Sequence, residues 1–141
     1  MANSTTEIQL GTKQGIGPRP LLEDRSQVLN LATVGGLEFS VAIVADGIGG
    51  ANAGERAAQM TVDAFVAFCR NSRETNIPNL LQAALEKANA DVYEEGKKGH
   101  KIQREMGCTA TVAAIHNGKL YIANVGDSRA YLVRGKRVVQ L

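Results

Sequence analysis

Three acidic stretches stand beside apolar segments in this sequence, at Glu23-Asp24, at Asp46 and at Asp127. Asp46 directly follows the apolar run of residues 39–45 and opens the glycine-rich stretch DGIGG. A carboxylate at the end of a buried strand needs a partner, and a hard divalent cation is one such partner. Because all the candidate ligands are oxygens, the three stretches together favour Mg²⁺ or Mn²⁺ over zinc.

The glycine-rich turn after Asp46 has other interpretations. It resembles the setting of a dinucleotide-binding turn, but Asn52 stands at the third glycine position and the charge of Asp46 would repel a pyrophosphate. A Walker loop would need Gly-Lys-Ser/Thr, and an EF-hand would need further oxygen ligands inside the loop. A purely structural turn stays open. Singly, Glu23-Asp24 is typical of a solvated loop and Asp127 of a polar turn, but three such sites together weaken that interpretation.

The composition narrows the class of protein. A chain of 141 residues with 44% hydrophobic and 21% charged residues is typical of one soluble globular domain. The net charge of +2, without a basic block, argues against nucleic acid as a partner. Cys69 and Cys108 are expected to be reduced, buried thiols, and His100 and His116 exposed bystanders. With no signal peptide and no apolar run of membrane length, we expect a cytoplasmic protein without a membrane partner.

Hydrophobic periodicity and turn residues predict strands, then two helices, then strands. The predicted strands cover residues 6–14, 27–33, 38–45, 109–115, 119–125, 129–133 and 138–141. One helix is predicted over residues 53–70, with Asn52 as N-cap and Glu55 completing a capping box, and a second from Ile77-Pro78. Residues 94–105 are predicted to form an exposed loop. This order indicates an α+β fold with antiparallel pairing, since a doubly wound sheet would alternate strand and helix.

The last predicted strand, residues 138–141, would leave an unpaired sheet edge, which natural domains usually protect. Either the chain is a fragment or another element covers that edge.

Three longer stretches carry a resemblance to a known family. GPRPLLEDR, VADGIGGANAGERAA and GCTATVAAIHNGKLYIANVGDSRAYLVRGKRVVQL are similar to successive motifs of the metal-dependent, type-2C serine/threonine protein phosphatases. The motifs run in the family's order over most of the chain, and the short loops resemble those of bacterial members. The resemblance implies an antiparallel β-sandwich flanked by helices, of the α-β-β-α type. Residues 1–141 would form a single partial domain, its N-terminal half to two-thirds.

The resemblance also implies roles for the acidic residues. Asp46 matches the aspartate that bridges two metal ions, and Gly47 matches the residue whose backbone carbonyl binds one of them. Glu23 and Asp24 match the acidic pair beside the second metal. Asp127 matches the aspartate associated with a third, more weakly held metal in bacterial members.

Arg19 matches the family's arginine that holds the substrate phosphate. The implied reaction is hydrolysis of phosphoserine and phosphothreonine in proteins by a water activated between two Mg²⁺ or Mn²⁺ ions. A bidentate grip from Arg19 on the phosphate suits this chemistry. No protein nucleophile is needed, so Ser128 is expected to orient Asp127 by hydrogen bonding and Arg129 to be structural.

The sequence departs from the family pattern in three ways. Leu22 replaces a common asparagine and Cys108 a common threonine, and neither side chain is required by the metal chemistry. Family members continue into a second half that carries two further metal-binding aspartates, and this chain stops at Leu141. The first hypothesis is therefore the N-terminal part of such a phosphatase, with the activity of this chain alone left open and the missing half arguing against it. The alternative is a non-catalytic module that binds a phosphoprotein or another partner. Incomplete sheets would favour a homodimer or strand exchange.

Overall fold

The computed structural model describes residues 7–49, 52–98 and 105–141, and its elements run as strands, helices and strands. Two strands come first, β1 (Asp24–Ala32) and β2 (Glu38–Ile48), followed by the helices α1 (Ala53–Asn71) and α2 (Ile77–Lys98). The later strands are β3 (Gly107–Cys108), β4 (Ala110–His116), β5 (Lys119–Val125), β6 (Tyr131–Arg134) and β7 (Arg137–Gln140). The predicted α+β class is confirmed.

The main sheet is antiparallel, with the order β1-β2-β4-β5 and the short β3 paired with the end of β2. Strands β6 and β7 form a separate two-stranded sheet. Asn117 and Gly118 both have positive φ angles, 49° and 72°, which the tight turn between β4 and β5 requires. Within the described residues, the second sheet of the predicted sandwich is represented by the β6–β7 hairpin alone.

Both helices pack on one face of the main sheet, and the core lies between them. Alternate residues of β2 are buried there, because successive side chains of a strand point to opposite faces. The buried set from the sheet is Leu31, Phe39, Val41, Ile43, Ala45, Val112 and Ala114. The helices contribute Phe65 and Cys69 from α1 and Leu80 and Leu81 from α2 as their most deeply buried large residues.

The opposite face of the main sheet, here called the outer face, carries an apolar patch among polar side chains, and Thr12 and Gln14 contact Ser26 at its β1 edge. Its side chains alternate with those of the core in every strand. Val44 is 47% exposed and Leu120 is 43% exposed. The half-buried members of this face are Val28, Ala42, Ala113, Ile115 and Ile122. An apolar patch on the second face of a sheet is typical of a sheet that packs against a further layer.

Two predicted segments are wrong in part. Residues 7–14 are irregular instead of forming a strand, and residue 6 lies outside the described residues. Residues 94–98 belong to α2 instead of a loop, while residues 99–104 lie outside the described part of the chain. Along this part of the helix, the ion pairs Glu94–Lys97 and Glu95–Lys98 link side chains three residues apart, and Gly96 is buried.

The start of α1 also differs from the predicted capping box. Asn52 adopts a left-handed conformation with φ of 68°, and its side chain makes no capping hydrogen bond. Its backbone carbonyl instead accepts a hydrogen bond from the Arg56 N–H at 3.1 Å. Glu55 does not reach back to the cap because its carboxylate forms an ion pair with Arg25 of β1. A tertiary partner has therefore replaced the local one.

The two cysteines and His116 can be placed in the fold. Cys69 is buried and Cys108 half-buried, and both are free thiols as predicted. Burial raises the pKa of Cys69 to about 12, so this thiol stays neutral at physiological pH. The His116 ring lies 2.6 Å from the Glu38 carbonyl oxygen, whereas His100 is outside the described residues. Among the helices of the described segments, none is long and apolar enough to span a membrane.

Candidate metal and phosphate site

The pairing register of β1 and β2 places Asp24 directly opposite Asp46. Opposed residues of an antiparallel pair have Cβ atoms about 5 Å apart, so the two carboxylates share one face of the sheet. The register is set by a three-residue loop, in which the Thr33 N–H donates to the Leu37 carbonyl at 2.9 Å and Gly36 has a φ of 83°. Two of the predicted ligands are therefore brought together by the hairpin.

Asp46 is electrostatically crowded by its neighbours. Loss of surrounding water raises the pKa of its carboxyl, and the charge of Asp24 and a hydrogen bond with Asp24 raise the pKa further. Arg19 acts in the opposite direction, and Asp127 adds a smaller upward contribution. Two carboxylates in contact repel each other when both are ionised, and a cation between them would relieve that repulsion. The donor set therefore fits a hard divalent ion.

A polar cavity of about 220 Å³ lies over this pair of carboxylates. Arg19, Glu23, Asp24 and Asp46 line it, together with Gly15, Ile16, Pro18, Leu21 and Leu22 of the preceding loop. The structure thus brings four of the six predicted site residues to one cavity. Asp127 does not line the cavity, although it is near enough to affect the pKa of Asp46. The cavity combines a cationic guanidinium with carboxylates, as a metal-assisted phosphate site would need.

Gly47, the fifth predicted residue, lies in backbone contact with the first turn of α1. A Cβ added to Gly47 would lie 2.1 Å from the Gly54 carbonyl oxygen and 2.8 Å from the Glu23 carbonyl oxygen. A Cβ added to Gly54 would lie 2.5 Å from a carboxylate oxygen of Glu23. Both positions require glycine because no side-chain atom fits between these backbones. Glu23 is thereby packed against the start of α1, while Asp24 faces Asp46.

Asp127 is joined to the Asp46 strand through Thr109. The Thr109 N–H donates to the Asp46 carbonyl at 2.9 Å, and the Asp46 N–H donates to the Thr109 hydroxyl at 3.2 Å. The same hydroxyl lies 2.6 Å from the hydroxyl of Ser128. Gly126 allows this approach, since a Cβ there would lie 2.8 Å from the Thr109 side chain. The predicted hydrogen bond of Ser128 is thus directed to Thr109.

Sequence reasoning missed three residues of this site: Arg25, Gly54 and Thr109. Arg25 donates hydrogen bonds to the carbonyls of Leu22 and Asp24. Its position directly after Asp24 in the sequence could have suggested a role beside the acidic pair. Gly54 could have been suspected from its place at the end of the glycine-rich stretch that leads from β2 into α1. Thr109 could not be identified from neighbouring residues in the sequence, because its role depends on the pairing of strands far apart in the chain.

Within the described residues, no group of three or more His, Cys, Asp or Glu side chains converges as a complete metal cage. The carboxylates of Asp24 and Asp46 face each other across the strands, and a divalent ion bound by six oxygens would need ligands beyond them. Backbone carbonyls and water commonly supply such ligands. The observed arrangement is thus part of a coordination shell.

Comparison with known proteins places the chain in a family. Residues 28–141 match the family model described as Protein phosphatase 2C. A serine/threonine phosphatase of Listeria monocytogenes, named stp, is 34% identical over 107 residues, which are 72% of this chain and 41% of that protein. This chain therefore spans less than half the length of that relative.

The fold of this chain is similar to that of solved phosphatase structures. A serine/threonine phosphatase from S. agalactiae has a TM-score of 0.72 at 27% identity, covering 87% of this chain and 50% of that chain. The catalytic domain of the phosphatase PstP, solved in complex with two manganese ions, has a TM-score of 0.65 at 23% identity and covers 84% and 54% of the respective chains. The chain belongs to the protein phosphatase 2C family.

Proposed function

We propose that this chain is the N-terminal part of a phosphatase domain that hydrolyses phosphoserine and phosphothreonine in proteins with Mg²⁺ or Mn²⁺. The observation that carries the proposal is the pairing of Asp24 with Asp46 beside Arg19 in one polar cavity. The membership of the chain in the protein phosphatase 2C family supports it, as does the length of the relatives, of which the chain covers about half or less. The phosphorylated protein substrate is part of the proposal.

The oxygen atoms of the site are proposed to bind the metal ions. Asp46, Asp24, Glu23 and the Gly47 carbonyl would hold the cations, and the exposed Asp127 would contribute to a third, weaker site. When bound, two such cations lower the pKa of a water and neutralise the charge that develops on the phosphate. The choice of cation agrees with the catalytic domain of PstP, which was solved in complex with two manganese ions.

Arg19 is proposed to bind and orient the substrate phosphate. Its side chain lines the cavity near enough to Asp46 to lower the pKa of that carboxyl. A planar guanidinium can grip two phosphate oxygens at once, which fixes the orientation of the phosphorus atom. The irregular loop that carries Arg19 is exposed, so a phosphorylated side chain of a protein can approach it from solvent.

The outer face is proposed to be covered, in a protein of the relatives' length, by a second antiparallel sheet. This face carries apolar side chains on β1, β2, β4 and β5, of which Val44 and Leu120 are exposed. Packed sheets bury such faces against each other at a spacing of about 10 Å. Such a layer would bring further ligands to the edge where Asp24 and Asp46 lie. The cytoplasmic location and the homodimer or strand exchange expected from the sequence stay predictions.

A phosphatase assay tests the proposed function. Hydrolysis of para-nitrophenyl phosphate and of a phosphothreonine peptide would be measured with Mn²⁺ for this chain and for a chain extended to the relatives' length. We expect Mn²⁺-dependent turnover in the extended chain, about 100-fold or more lower in Asp46→Asn because a carboxylate ligand is lost. Arg19→Ala should weaken turnover, whereas Arg134→Ala, on the distant hairpin, serves as the matched control and should not.

Two results would contradict the proposal. Turnover that is independent of Mn²⁺ or unaffected by Asp46→Asn would exclude the assigned site. Tight binding of the phosphopeptide by the extended chain without any turnover would favour the alternative, a non-catalytic module that binds phosphoproteins.

A further inference from the structure

The side chain of Arg25 connects the acidic pair Glu23-Asp24 to helix α1. One terminal nitrogen of its guanidinium donates to the Asp24 carbonyl at 2.7 Å and to the Leu22 carbonyl at 3.3 Å. The second terminal nitrogen forms an ion pair with Glu55 in the first turn of α1. The Nε atom donates to the Gln59 side chain at 3.0 Å. All three nitrogens of the guanidinium are therefore engaged.

The two carbonyls that Arg25 contacts stand on either side of Glu23. Glu23 itself is wedged against α1, because its carboxylate lies beside Gly54 and its carbonyl beside Gly47. The Arg25 side chain is only 22% exposed, so its hydrogen bonds are less screened by water than those of a surface arginine. The backbone of the acidic pair is thus fixed from the helix side while Asp24 faces Asp46.

We propose that Arg25, held by Glu55 and Gln59, is a positioning residue that clamps the acidic pair on α1 and sets its place opposite Asp46. The inference rests on the proposed function only in naming the divalent cation as the ligand that this placement serves. The clamp itself is a property of the metal-free fold. Positioning contacts of this kind typically change metal affinity by about 10- to 100-fold when they are removed.

A second ion pair on α1 provides a matched control. Arg56, the residue after Glu55, forms an ion pair with Glu95 of α2 and has a side chain that is 63% exposed. Among the described contacts, its side chain makes no hydrogen bond to the acidic pair or to any backbone carbonyl. Arg56→Gln therefore removes the same chemical group, in an ion pair that also involves the first turn of α1, without touching the clamp.

The first measurement is amide hydrogen exchange of the metal-free protein over residues 21–26. Arg25→Gln should speed exchange in this segment by about tenfold, because the carbonyls of Leu22 and Asp24 lose their donor and local opening becomes easier. Arg56→Gln should leave the segment unchanged. Equal exchange in the two variants would overturn the clamp. This readout needs neither metal binding nor catalysis, so it decides the inference even if the proposed phosphatase function fails.

The second measurement separates positioning from simple fold stability. The exchanged pair Arg25→Glu with Glu55→Arg restores opposite charges between β1 and α1 but not the donors to the two carbonyls. We expect its Tm to recover towards that of the unmodified protein, while exchange over residues 21–26 stays fast. Arg25→Lys should also fail to restore slow exchange, since a single ammonium cannot reproduce the planar fork. Full recovery of slow exchange in the charge-exchanged variant would reduce Arg25 to an ordinary ion pair.

The third measurement is a Mn²⁺ titration followed by electron paramagnetic resonance, in the chain extended to the relatives' length. Affinity for Mn²⁺ should fall about tenfold or more in Arg25→Gln and in the charge-exchanged variant, and less than twofold in Arg56→Gln. Unchanged Mn²⁺ affinity with fast loop exchange would refute the link to the metal. Failure of the phosphatase assay with normal Mn²⁺ binding would instead count against the proposed function alone.

Discussion

The corner formed by the ends of β1 and β2 and the start of α1 differs sharply from the β6–β7 hairpin. In the corner, the backbones of Gly47 and Gly54 are in direct contact, and Glu23 is packed beside both of them. In the hairpin, every residue of β7 is exposed, and only Leu132 of β6 is half-buried. The corner is therefore shaped by contacts inside this chain, whereas the hairpin makes few contacts with the rest of the described structure.

The comparison shows how far the candidate site is built by this chain. Asp24 and Asp46 belong to the rigid corner, and their positions follow from strand register and close packing. Asp127 belongs to the exposed turn before the hairpin, and Thr109 joins it to the corner through Ser128. One part of the site is thus preorganised, and we infer that the other gains its final position only when a second layer covers the outer face.

The largest loss of stability is expected from Gly47→Ala, which adds a methyl group at the tightest contact of the corner. The new methyl group would lie 2.1 Å from the Gly54 carbonyl oxygen, so α1 must move away from β2. We expect a loss of about 3 kcal/mol in the free energy of unfolding, measured by denaturant titration. The matched control is Gly107→Ala in β3, where an added Cβ meets no atom within 4 Å.

Gly107→Ala should change the free energy of unfolding by no more than about 0.5 kcal/mol. Similar losses in both variants would mean that the corner is not more tightly packed than its surroundings.

A smaller effect is expected from Thr109→Val, which removes the hydroxyl between the corner and the Asp127 turn. Thr109 is 4% exposed, and the substitution leaves the Asp46 N–H without its acceptor. An unsatisfied buried donor costs about 1–3 kcal/mol of stability. Thr111→Val is the control, since the Thr111 hydroxyl bonds Asn124 at the exposed end of the sheet. Denaturant titration should show that Thr109→Val lowers the free energy of unfolding at least three times as much as Thr111→Val. The reverse order would contradict the proposed connection through the Thr109 hydroxyl.

Asp46→Asn should stabilise the metal-free protein slightly at neutral pH. The pKa of Asp46 is raised in the fold, chiefly by loss of surrounding water and then by Asp24. A carboxyl with a raised pKa supports the fold while protonated, below its unfolded pKa, and this support is lost as pH rises through the folded pKa. At pH 7 the ionised group therefore opposes folding, by less than about 1 kcal/mol because the carboxyl loses only part of its surrounding water and stays screened by the rest.

The measurement is thermal unfolding in a chelating buffer at pH 7 and at pH 3.5. The stabilisation by Asp46→Asn should be present at pH 7 and shrink as the pH falls and Asp46 becomes protonated. A stability difference that grows towards acid pH would show that Asp46 is not crowded by Asp24.

The smallest effect is expected in the hairpin, from Val138→Thr. Val138 is 65% exposed and pairs across the strands with Val133, which is 66% exposed. In this chain the substitution should change the free energy of unfolding by no more than about 0.5 kcal/mol. In a chain extended to the relatives' length the loss should exceed about 1 kcal/mol if a second layer covers this residue. If Val138→Thr already lowered the free energy of unfolding strongly in this chain, the hairpin would be as tightly packed as the corner, against the prediction.

Local patterns predicted most of the elements correctly, because they depend on neighbours along the chain. The Asn117-Gly118 turn and the helix starting at Ile77-Pro78 need only backbone preferences and a hydrophobic period, and both are confirmed. The capping box of Asn52 and Glu55 was wrong, because Arg25 of another element competes for Glu55. The loop predicted for residues 94–98 was wrong because the charged residues that indicated a loop form ion pairs three residues apart along α2.

The sequence by itself determined the α+β order and the set of acidic residues that could hold a divalent cation. It could not determine which of them meet, because that depends on a single residue of register. A two-residue turn at Gly35-Gly36 would have placed Asp24 opposite Gly47, whereas the three-residue loop places it opposite Asp46. Since side chains alternate across a strand, a shift of one residue moves a carboxylate to the other face of the sheet. Only the tertiary structure, by docking that hairpin on α1, decided that Asp24 and Asp46 share a site.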